Sequence, residues 1–62
     1  SLIYRSVSKA PAHAWNADEA YYLLDDKTMI LLLKDNVVIQ LNSKFDFSQT
    51  DVIDISRDKL GL

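Results

Sequence analysis

The sequence predicts a small α+β domain: an antiparallel β-hairpin at residues 28–42, an N-terminal strand and a C-terminal helix. Three observations carry that expectation. Two apolar runs, Met29–Leu33 and Val37–Leu41, flank Lys34-Asp35-Asn36, and Asp and Asn accept the left-handed backbone of tight hairpin turns. Residues 2–9 (LIYRSVSK) are short and rich in β-branched and aromatic side chains, as strands are. The tail carries agreeing helix start and stop signals. The chain has 62 residues, no Cys and only one Gly and one Pro. One domain is all it can hold, and a domain of this size buries only about 60% of its unfolded surface.

Each element has a local reason. In the N-terminal strand, Ile3 and Val7 share one face while Leu2 and Tyr4 share the other. Pro11 fixes φ and pushes Ala10 toward extended geometry, so residues 10–14 read as a connector. Residues 16–24 (NADEAYYLL) are ambiguous. Asn16 suits a helix N-cap with Glu19 three residues on, and Trp15 would stand just before the cap. Tyr21–Leu24 also reads as a strand turning at Asp25-Asp26-Lys27. The reading adopted is a short helical turn that runs into a strand.

In the hairpin, Met29–Leu33 is apolar at five consecutive positions, which predicts a strand covered on both faces: a central strand, or an edge buried against a partner. After it, Phe45 and Phe47 alternate around Asp46. Ser48 with Asp51 predicts an N-terminal cap, and the helix is placed near residues 49–60. Arg57 and Lys59 fall in its last turn, and Gly61 is a natural closing residue. The rival for this segment is a strand at Val52–Ile55.

Composition excludes several function classes. Seven Lys and Arg oppose nine Asp and Glu, for a net charge of −2, and no block is basic. That argues against nucleic acid, whose binders neutralise phosphates with clustered cations. The 48% hydrophobic content is too high for intrinsic disorder. No apolar run approaches the ~20 residues of a membrane span, and no signal peptide is recognisable at the N-terminus. The chain begins with Ser rather than Met, as a processed chain or an excised fragment would. The lack of Cys fits any compartment and favours a reducing, cytoplasmic one.

Chemistry-bearing motifs are scarce. His13 is the one histidine and has no Cys or second His beside it to complete a metal site. Asp25-Asp26 reads as turn residues rather than a carboxylate pair. A calcium loop starting at Asp46 would need Gly at position 6 and Glu at position 12, where this chain has Asp51 and Arg57. No Gly-rich phosphate loop and no nucleophile elbow is present. No catalytic, cofactor-binding or metal-ligating residue is therefore predicted.

Candidate interface residues remain. Tyr4, Trp15, Tyr21 and Tyr22 are either core or partner contacts, since Trp and Tyr serve both. Met29, Leu31 and Leu33 belong to a hairpin with nine apolar residues in the thirteen from Met29 to Leu41, an aggregation hazard if left uncovered. Asp51, Asp54 and Asp58 would share one helix face, either solvated or docking a basic partner.

The run YYLLDDKTMILLLKDNVVIQL, followed by NSKFDFSQ and a tail ending KLGL, resembles the C-terminal half of bacterial pleckstrin-homology-like domains of the YcxB type. The likeness covers residues 21–62. Leu41, Lys44 and Phe45 or Phe47 stand at its matching positions, with Asn42-Ser43 where that family has proline. The resemblance implies a non-catalytic, β-rich docking module, often attached to a membrane protein, and brings no catalytic residues. The expected function is a non-enzymatic protein–protein interaction or regulatory module whose partner is another protein or a second copy bound through the hairpin. The alternative is a small nucleic-acid-binding module with the hairpin as a wing.

Overall fold

The computed structural model describes residues 7–62. Strand β1 (Ser8–Lys9) leads through a 3-10 turn (Ala12–Trp15) to β2 (Glu19–Tyr22), β3 (Met29–Lys34), β4 (Val37–Asn42) and helix α1 (Thr50–Leu60). The strands form one antiparallel sheet in the order β1-β2-β3-β4. The α+β class predicted from sequence is the observed one. Of the predicted strand at residues 2–9, Ser8 and Lys9 pair, while residues 2–6 lie outside the described part of the chain.

The hairpin forms where its turn chemistry places it. Asp35 and Asn36 have φ of 50° and 65°, the paired left-handed conformation of a two-residue turn whose twist matches the strands it joins. This turn sets Lys34 opposite Val37 and, in step, Leu33 opposite Val38 and Leu31 opposite Gln40. The turn between β2 and β3 closes with the Lys27 N–H on the Leu24 carbonyl (3.0 Å). The Asp26 carboxylate anchors it by accepting from the Thr28 N–H (3.1 Å) and hydroxyl (2.8 Å).

Residues 16–24 depart from expectation. Asn16 does not start a helix but ends one: at φ 53° it closes the 3-10 turn, and its N–H returns to the His13 carbonyl (3.2 Å). Asn tolerates the left-handed region that most residues avoid, and it is this tolerance, rather than the side-chain acceptor that suits an N-cap, that Asn16 uses here. The helical turn therefore precedes Asn16, inside the predicted connector, and β2 follows it directly.

Helix α1 covers the span expected. Its first turn is organised differently, with Gln49 at the N-cap and no side-chain cap. The Asp46 carboxylate accepts the Ser48 N–H (2.7 Å) and the Asp46 carbonyl accepts the Gln49 N–H (3.2 Å). The turn that aims the helix thus belongs to Asp46, not to the predicted Ser48–Asp51 pair. At the far end Gly61 (φ 73°) lets its own N–H reach Asp58 and the Leu62 N–H reach Arg57, a Schellman-type closure.

The core lies between one face of the sheet and the layer made by the 3-10 turn, the 43–49 segment and α1. Trp15, Ile30 and Leu32 are fully buried, joined by Ala20, Tyr22, Phe47 and Ile53. Trp15 meets Phe47 edge to face at 5.6 Å, a favoured aromatic geometry. Arg57 ties the helix to the 3-10 turn by donating to the Ala14 carbonyl (2.7 Å) while pairing with Asp54 (3.1 Å).

Candidate interaction surface

Alternation along β3 divides its apolar run between two environments. Ile30 and Leu32 point into the core and are fully buried, whereas Met29, Leu31 and Leu33 face the opposite side and are half-buried. Pairing builds out that second face. Tyr21 lies beside Leu31 from β2, and Val38, 63% exposed, lies beside Leu33 from β4. Met29, Leu31 and Leu33 thus form a central apolar stripe with Tyr21 and Val38 on its flanks. Among the described residues no element is packed over it. A sheet face in water normally carries polar residues at these positions.

The rim is polar and mixed in sign. Lys9 stands across from Tyr21, Glu19 across from Leu33, and Gln40 and Asn42 complete the β4 side. The Gln40 amide donates to the Met29 sulfur (3.5 Å). The Tyr21 hydroxyl donates to the Glu19 carboxylate, and this bond, with the nearby negative charge, raises the Tyr21 pKa above its ordinary value.

The structure brings four of the sequence-predicted contact residues onto this face: Tyr21, Met29, Leu31 and Leu33. It separates the others from it. Trp15 and Tyr22 are core residues; Tyr22, at the end of β2, is buried in the core cluster, with the Lys27 ammonium 5.6 Å from its ring centre. Burial, with Asp46 nearby, raises the Tyr22 pKa. Neither side chain is on the surface to meet a partner. Tyr4 lies outside the described residues. Asp51, Asp54 and Asp58 are exposed on α1, in the layer that packs on the sheet's other face, with Asp54 engaged by Arg57.

Val38 is the residue of this face that sequence reasoning missed. The signal was present: a two-residue turn at Asp35-Asn36 fixes the register that sets Val38 beside Leu33. His13 is exposed on the 3-10 turn, and Asp26 serves its turn. Among the described residues no group of three or more His, Cys, Asp or Glu could hold a metal ion, and no helix is long and apolar enough to cross a membrane.

No family model matches the chain, and neither the curated proteins nor the solved structures compared with it include a similar one.

Proposed function

We propose that this domain is a non-enzymatic protein–protein interaction module that self-associates through the outer face of its sheet. The observation that carries the reading is the Met29–Leu31–Leu33 stripe, flanked by Tyr21 and Val38, on the face opposite the helix layer. An apolar centre inside a polar rim is the anatomy of a protein contact site. A second copy suits the rim as well, because among the described residues it carries a cation, Lys9, and an anion, Glu19. In an isologous contact each can meet its opposite on the other copy. The docking role implied by the sequence resemblance agrees with this reading, and the net charge of −2 counts against the nucleic-acid alternative.

Sedimentation velocity from low to high micromolar concentration tests it. The wild-type chain should associate as concentration rises, and Leu31→Lys, which places an ammonium at the centre of the stripe, should sediment as a monomer with an unchanged far-ultraviolet spectrum. A wild-type monomer throughout the range, or association that survives Leu31→Lys, would overturn the proposal.

A further inference from the structure

Met29 carries the only sulfur of the chain, which has one Met and no Cys. β3 sets it in the outward row with Leu31 and Leu33, opposite Asn42 of β4, and leaves it half-buried. Its sulfur accepts the Gln40 amide N–H at 3.5 Å, so a donor from the neighbouring strand already points at it. A thioether is soft, largely apolar and only a weak acceptor, which suits a row that meets another protein surface.

Oxidation reverses that character. A hydroperoxide converts Met to methionine sulfoxide: the sulfur lone pair attacks the peroxide, an S–O bond forms as the O–O bond breaks, and water leaves. Sulfur gives up two electrons and the peroxide oxygens take them. The product is a polar side chain ending in a strong acceptor. On a free outer face that oxygen bonds to water and lies within reach of the Gln40 amide. Beneath a second copy the water is lost, and one amide N–H does not fill the oxygen's acceptor capacity.

We propose that Met29 is an oxidation site through which a hydroperoxide switches off self-association, an inference that rests on the outer-face reading above. An isologous contact covers Met29 of both copies. An acceptor left short of partners in a contact weakens it about tenfold, and two of them about a hundredfold. Association in turn covers the sulfur, so the oxidation slows as protein concentration rises.

Sedimentation velocity of the chain before and after hydrogen peroxide, with peptide masses locating the added oxygen, tests this. The reduced chain should associate. The chain oxidised at Met29 should do so about a hundredfold more weakly, with an unchanged far-ultraviolet spectrum, and methionine sulfoxide reductases should restore it. Met29→Leu should associate as the wild type does and ignore peroxide. The oxidation rate should fall from low to high micromolar protein. If the reduced chain associates, the switch alone is overturned by any of four results: equal association after oxidation, a peroxide effect that persists in Met29→Leu, a changed far-ultraviolet spectrum, or an oxidation rate independent of concentration. A reduced chain that stays monomeric overturns the self-association reading and the switch together.

Discussion

Leu31 and Leu32 are chemically identical neighbours on opposite faces of β3, so truncating each to Ala separates the demands of the fold from those of the outer face. Leu32 is fully buried, and Leu→Ala at such a site costs about 3 kcal/mol through lost transfer energy and the cavity left behind. Leu31 is half-buried, and at about 0.8 kcal/mol per fully buried methylene its truncation costs about 1 kcal/mol in the monomer. A 62-residue domain has about 3–9 kcal/mol of stability in total. Leu32→Ala therefore removes at least a third of it, while Leu31→Ala leaves the chain folded. Urea unfolding followed by the fluorescence of Trp15, the only tryptophan and fully buried, measures both. With a slope of about 1 kcal/mol/M, the midpoints should fall by about 3 M and 1 M at low micromolar protein. At high concentration the wild type should gain apparent stability and Leu31→Ala should not, because association stabilises only the form that associates. If Leu31→Ala costs as much as Leu32→Ala at low concentration, the division of β3 into a core row and a contact row is wrong.

Two further outcomes test the ends of α1. Gly61 sits at φ 73° with nothing within 4 Å of the position a Cβ would take, so Gly61→Ala meets backbone strain alone. It should cost about 1 kcal/mol, read as a fall of about 4–8 °C in melting temperature, with Gly61→Asn losing less. The Asp46 carboxyl is held below its ordinary pKa first by the Ser48 backbone N–H, then by the Ser48 side chain, with Lys27 adding to the effect. A depressed carboxylate stabilises the fold above its unfolded pKa of about 3.9 and loses that contribution as pH falls through the folded value. Asp46→Asn should thus be less stable than wild type at pH 7, and the two melting curves should converge in acid; a gap that stays constant with pH would assign the effect to something other than the charge.

The elements legible in the sequence were those specified by their own residues. Asp35-Asn36 prescribe the hairpin turn, and Gly61 with Arg57 and Lys59 before it prescribes the helix end. The Asn16 segment departs from its expected role because Asn can cap a helix start with its side-chain oxygen in extended backbone or close a helix end in the left-handed region, and the choice rests on the packing of Trp15 against Phe47, some thirty residues away in the chain. Asp46 took over the approach to α1 for a similar reason: Phe47 has to enter the core, so the turn falls one or two residues earlier than Ser48. The candidate surface was half legible. Hydrophobicity placed Met29, Leu31 and Leu33 in one apolar run, but which of the run's two faces the helix covers is a tertiary fact. That fact also moved Trp15 and Tyr22 from the list of candidate contacts into the core.

The composition of the two outer rows narrows the functional reading further. If the outer face of the sheet were built only to meet water, β3 would alternate as β4 does there, where Val38 is followed by Gln40 and Asn42. β3 instead repeats on its outward side, with Met29, Leu31 and Leu33, the kind of residue it buries inward. A single eleven-residue helix packs on one face of a four-stranded sheet, and among the described residues no element packs on the second apolar row. Solubility selects against such a row, and nothing in the register or the turn geometry demands it, since polar residues at positions 29, 31 and 33 would satisfy the same backbone pairing. The outward Met and Leu side chains are those on which the proposed self-association rests, and Gln40 and Asn42 bound their row on the β4 side.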